Sequence, residues 1–202
     1  MPVPEPANLW VKICGLTTTE GVAAAVAAQA DAIGFVFAPS KRRVTPERAS
    51  ELARGVPKHV ARVAVMLHPT QAELDAVLSG FGPDVLQTDA EDLAQLDIPA
   101  ALLVTPVVRT TTDTLRAPRI LFEGAMSGAG KIADWNAAAT MAKRTQLILA
   151  GGLDAANVDA AVRAVMPFGV DVSSGVERAP GIKDERKIHE FILAARAART
   201  GA

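Results

Sequence analysis

Repetition constrains this chain more than any other feature. A short apolar stretch recurs eight times, at Trp10–Cys14, Asp31–Phe37, Arg62–Leu67, Asp84–Gln87, Ala101–Val108, Arg119–Phe122, Gln146–Ala150 and Gly169–Val172. The spacing is roughly 20 to 30 residues, an internal period rather than a string of modules. Helix-start signals fill most intervals. Thr17…Glu20, Thr70…Glu73 and Thr88…Glu91 have capping-box spacing, and Thr45-Pro46 has the cap-then-proline order. Asp134 and Asp154 stand as caps ahead of further helices, and an amphipathic helix is predicted over about 184–198, with His189 facing solvent.

Strands alternating with helices imply parallel pairing, and eight such units imply a sheet closed on itself, a (β/α)8 TIM barrel. The expected organisation is one domain over residues 1–202, with 1–9 as an extended lead. A chain of 202 residues is short for this fold, where about 250 is typical. Trimmed loops and a reduced fifth helix account for that, since 110–118 offers room for a turn or a single helical turn. The competing architecture is an open doubly wound sheet with its ligand at a strand-order switch.

Composition narrows the partners. Formal net charge is −1 with no block of like charges, which argues against nucleic acid and against an anionic membrane surface. A single cysteine makes no internal disulfide and fits a reducing, cytoplasmic setting. Met1–Pro6 has no signal-peptide pattern, and no apolar run reaches spanning length.

In barrels of this kind the site is built from the loops that follow the strands. Cys14 ends the first strand, and alternation puts Lys12 on its face. A neighbouring cation favours thiolate, which serves as base or nucleophile. Strand eight closes against strand one, so Asp171 is expected to pair with Lys12. Arg42 follows strand two and offers a planar fork for a carboxylate or phosphate. Glu123 follows the apolar Ile120-Leu121-Phe122, and partial desolvation there suits a general acid. Gly151-Gly152 after strand seven and Ser173-Ser174-Gly175 after strand eight are expected to cradle a phosphate. The three histidines lack metal spacing, and residues 124–133 match neither the phosphate-loop nor a complete dinucleotide fingerprint.

Taken in order, several segments resemble the phosphoribosylanthranilate isomerase family. They are Lys12-Ile13-Cys14-Gly15-Leu16-Thr17, Asp31–Phe37, Ser40-Lys41-Arg42, Ser127–Lys131 with Asp134-Trp135, Leu149–Leu153, Val170–Glu177 and Pro180-Gly181. The resemblance implies a cofactor-free Amadori rearrangement of N-(5-phosphoribosyl)anthranilate in tryptophan biosynthesis. It implies Cys14 as general base and Glu123 as general acid, where the family has aspartate. It also implies that Arg42 holds the anthranilate carboxylate. Where the family often shows Gln-Leu-His-Gly after strand four, this chain has Leu86-Gln87-Thr88-Asp89, which makes Asp89 a rival acid. The expected partner is a small phosphorylated substrate, handled by a monomer or homodimer. Two other readings stand beside this one. The histidine-pathway isomerase would want aspartate where Cys14 stands, and a phosphosugar-binding barrel without turnover is favoured only by the glutamate at 123.

Overall fold

Eight parallel strands close into a barrel in the order of the sequence: β1 (Trp10–Cys14), β2 (Ala32–Val36), β3 (Ala61–Val65), β4 (Val85–Asp89), β5 (Leu103–Val108), β6 (Arg119–Phe122), β7 (Gln146–Leu149) and β8 (Gly169–Val172). The computed structural model describes residues 8–110, 117–124 and 134–200. β8 pairs with β1 in a register that places Asp171 opposite Lys12. This closure rules out the open sheet. Most of the 110–118 interval, and with it the expected fifth-helix reduction, lies outside the described residues, as do most of the lead and the glycine-rich stretch over 125–133.

Among the described residues, six α-helices pack outside: α1 (Thr19–Ala27), α2 (Pro46–Leu52), α3 (Gln71–Gly80), α4 (Trp135–Ala142), α5 (Val158–Val165) and α6 (Glu185–Thr200). The caps test the local rules one by one. Thr70 and Glu73 form the reciprocal capping box, Thr45 accepts from the Arg48 amide ahead of Pro46, and Asp134 accepts from the amides of Asn136 and Ala137. Three expectations need correction. α1 is capped by Thr18, not Thr17; the Thr17 hydroxyl instead donates to the Gly181 carbonyl at 2.6 Å. Thr88 caps nothing. It lies within β4, and the segment after it is a 3-10 stretch, Ala90–Gln95, without a side-chain cap. Asp154 closes a turn onto the amides of Ala156 and Asn157, one turn ahead of α5. His189 is exposed on α6 as expected.

The main apolar core lies between strands and helices, where outward-facing Ile13, Phe35, Leu86, Phe122 and Leu149 meet the helices. Inside the barrel the alternate residues pack in two clusters, Ala32–Val63–Val85 and Val107–Leu121–Ile148–Ala150. The N-terminal end is stoppered by the Arg119 guanidinium, 4.3 Å from the Phe168 ring centre and 5.7 Å from that of Trp10. Polar chemistry is therefore left to the opposite end. Among the described residues, no helix is long and apolar enough to cross a membrane.

Candidate active site

Strand alternation carries the polar side chains inward. Trp10, Lys12 and Cys14 share the inner face of β1, and Lys12 reaches across the interior. Its ammonium donates to Asp171 Oδ1 on β8 at 3.0 Å and to Gln87 Oε1 on β4 at 2.9 Å. Lys12 is wholly enclosed, so burial disfavours its charge; Asp171 and Cys14 outweigh that and hold its pKa above the ordinary value. The room comes from Gly34. A Cβ there would lie 2.9 Å from Lys12 Cε and 3.1 Å from Cys14 Sγ, so any side chain on β2 at this level would displace both. Cys14 is itself buried, which pushes its thiol up; Lys12 and Lys183 pull it back, and Asp171 opposes them.

Arg42 lies in the turn after β2, its amide held by the Ser40 hydroxyl. Its fork is already engaged: Nε and Nη2 donate to the two oxygens of Glu177 at 2.6 and 2.8 Å. Glu177 also accepts from Lys183 Nζ at 3.0 Å. These two residues face each other across a short hairpin, β9 (Glu177–Ala179) and β10 (Ile182–Lys183), inserted between β8 and α6. Glu177 is held below the usual carboxylate range: burial alone would raise it, but Arg42 and Lys183 prevail. Neither Glu177 nor Lys183 emerges from the sequence reading as a site residue. The Glu177 partner Arg42 is 135 residues away, and no periodicity marks either residue.

The phosphate-cradle candidates converge. Gly151 and Gly152 turn with positive φ (90° and 66°) directly after β7. Gly175, in a 3-10 turn (Ser174–Val176), presses on the loop after β7 so closely that a side chain would strike the Leu153 carbonyl. The two loops thus pack against one another, and Ser173 accepts from Lys183 Nζ through its carbonyl and hydroxyl at 3.0 and 3.4 Å.

Glu123 sits just past β6, its amide donating to the Val108 carbonyl at 3.2 Å. Its carboxylate meets Arg109 Nη2 at 2.9 Å, and Arg109 Nη1 meets Asp89 Oδ2 at 2.6 Å. One guanidinium therefore stands between the two acid candidates. Alternation along Thr105, Val107 and Arg109 would have pointed to it. His68 approaches the same group, Nε2 at 3.7 Å from Asp89 and Nδ1 at 2.8 Å from Asp92, whose carboxylate also accepts from Thr88. His68, Asp89 and Glu91 bring ligand-type atoms within 4.8 Å of one another, and Arg109 Nη1 is paired with one of the Asp89 oxygens at 2.6 Å. That corner is an ion-pair network.

Cys14, Arg42, Asp89, Glu123 and the two loops after β7 and β8 thus all lie at the C-terminal rim of one barrel. A family model described as N-(5'-phosphoribosyl)anthranilate (PRA) isomerase matches residues 11–194. The chain belongs to the phosphoribosylanthranilate isomerase family. It is 41% identical over 186 residues to an N-(5'-phosphoribosyl)anthranilate isomerase of Streptococcus pneumoniae, covering 90% of this chain and 93% of that one. The crystal structure of phosphoribosylanthranilate isomerase from Thermotoga maritima superposes with a TM-score of 0.80 at 33% identity, covering 94% and 99% of the two chains. A phosphoribosylanthranilate isomerase solved with reduced 1-(o-carboxyphenylamino)-1-deoxyribulose 5-phosphate superposes with a TM-score of 0.76 at 32% identity, over 94% and 99%. The protein is thus an isomerase of tryptophan biosynthesis built on a TIM barrel.

Proposed function

We propose that this barrel converts N-(5-phosphoribosyl)anthranilate to 1-(2-carboxyphenylamino)-1-deoxyribulose 5-phosphate, with Glu123 as general acid and Cys14 as general base. The observation that supports it best is the common rim: a thiol beside a buried lysine, a carboxyl group across the mouth, and a backbone cradle on the remaining side. The ligand named in the complex of the related isomerase, a reduced form of that product, carries the elements such a rim would have to recognise: a carboxylate, a sugar-derived chain and a phosphate.

In this reading the cradle of Gly151, Gly152, Ser173, Ser174 and Gly175 holds the phosphate through backbone amides and hydroxyls. Glu123 gives a proton to the ring oxygen as the C1′–O bond breaks, and the nitrogen lone pair forms the iminium. The Cys14 thiolate then takes the C2′ proton. The electron pair of that C–H bond forms the C1′=C2′ bond and neutralises the nitrogen. Ketonisation of the resulting enolamine, with a proton returning to C1′, completes the rearrangement, and no external oxidant or reductant is required. Lys12 and Asp171 support the base from below. Arg109 lies between the proposed acid and its rival, 2.9 Å from Glu123 and 2.6 Å from Asp89.

Arg42 is assigned to the anthranilate carboxylate. Its pairing with Glu177 uses Nε and one terminal nitrogen, and a guanidinium has five N–H donors to share. Arg42→Ala is expected to raise KM roughly 10- to 100-fold, as loss of a charge-assisted pair does, with a smaller fall in kcat. An unchanged KM would remove Arg42 from the carboxylate's site. The reaction itself is tested by the loss of fluorescence as the purified protein consumes freshly made phosphoribosylanthranilate. A folded protein that binds the product analogue without turnover would instead establish a phosphosugar-binding barrel.

A further inference from the structure

Lys183 and Glu177 take no part in the steps above, yet both lie against the loops that surround the thiol. The Lys183 side chain is 1% exposed, and a buried ammonium needs strong partners. It has three: the Glu177 carboxylate, to which it is paired in register across the hairpin, and the carbonyl and hydroxyl of Ser173. The ladder shifts register between Ile182 and Lys183, a bulge of the kind that re-aims a side chain. The hairpin is also clasped from below. Thr17, three residues past Cys14, donates to Gly181 at its tip, which fixes the lysine's strand to the loop of the cysteine.

We propose that Lys183 is a positioning residue for the Cys14 thiolate: its ammonium completes a buried cluster of three cations and two carboxylates whose single surplus positive charge the thiolate neutralises. The cations are Lys12 from β1, Arg42 from the loop after β2 and Lys183 from β10; the carboxylates are Asp171 from β8 and Glu177 from β9. Lys12, Lys183 and Arg42 all interact electrostatically with Cys14; burial holds Lys183 itself below its ordinary value, and Glu177 and Cys14 act against that burial. Ionising the thiol inside this group cancels a charge instead of adding one, which offsets the desolvation that otherwise opposes a buried thiolate. Because Lys183 also holds Ser173, the same ammonium joins the base to the phosphate cradle. The catalytic consequence rests on Cys14 being the base; the electrostatic one does not.

With one cysteine and no tyrosine in the chain, alkaline ultraviolet titration of the full-length protein reports this thiol alone. Lys183→Met is expected to move the thiolate inflection up by about one pH unit, a tenfold loss of thiolate at a fixed pH below it, and Lys183→Arg to restore most of it. In Lys183→Met, kcat/KM should fall about tenfold at neutral pH and recover as pH rises, whereas a merely structural role would lower it equally at every pH. Glu177→Gln removes a carboxylate from the cluster and is expected to move the inflection the other way. Inflections that stay in place, or a Glu177→Gln shift upward, overturn the proposal, and the second variant decides if the first does not fold. A Cys14→Ser protein with full turnover would instead overturn the base assignment and leave these titrations standing.

Discussion

Cys14→Ser is expected to lower kcat by roughly a thousandfold, within the range seen when a positioned general base is lost, while the product analogue binds within a few-fold of its original affinity. Serine is close to cysteine in size, so Lys12 keeps Asp171 and Gln87, and the barrel keeps its interior. What disappears is the ionisable group. A serine hydroxyl is too weakly acidic for two neighbouring ammonium groups to ionise it near neutrality. In the parent protein the acidic limb of kcat/KM should follow the thiol: activity rises with pH as Cys14 loses its proton, because only the thiolate accepts one. Burial pushes that thiol above its ordinary value, so the limb should extend to alkaline pH, and the variant should lack it. Retention of more than about a tenth of the turnover, an amount that general-base loss does not leave, would exclude Cys14 as the base.

Glu123→Gln is expected to lower kcat roughly 100- to 1000-fold, since glutamine donates no proton at any pH. Its size is nearly unchanged, and an amide oxygen can still accept from Arg109, so the corner should keep its shape. The matched control is Asp89→Asn. Under the assignment to Glu123, that variant leaves Arg109 to Glu123 alone, so activity falls only modestly. If Asp89→Asn gives the larger loss and Glu123→Gln the modest one, the acid is Asp89. Glutamate adds one methylene relative to the family's aspartate, and errors of about 1 Å can cost on the order of a hundredfold in rate. Glu123→Asp is therefore informative only beside Arg109, whose reach sets where the longer arm stops.

The barrel and its rim were legible in the sequence because both rest on short-range rules. Period-two strands, Gly-Gly after β7 and Ser-Ser-Gly after β8 are local patterns, and β8 adjacent to β1 follows from closure, which is why the Lys12–Asp171 pair could be expected. Local rules also misled. Thr88…Glu91 has the spacing of a capping box, but Gln87 and Asp89 are drawn into the barrel, and the strand runs through the residue that would have been the cap. Thr17 lost its capping role to Thr18 because a carbonyl 164 residues away claimed its hydroxyl. Glu177 and Lys183 escaped notice for a similar reason: what gives them meaning is Arg42, 135 residues before Glu177. Arg109 was within reach of the alternation rule, which places it at the mouth two residues beyond inward-facing Val107.

The seam of the barrel joins the first strand to the last, and the Lys12–Asp171 pair that crosses it spans 159 residues. During synthesis the sulfur-bearing strand leaves the ribosome long before the strand and hairpin that will surround it. Until then Lys12 has no counter-ion on that side, and one of the two loops proposed to hold the phosphate is missing. The proposed chemistry therefore has its full set of groups only once the ring has closed.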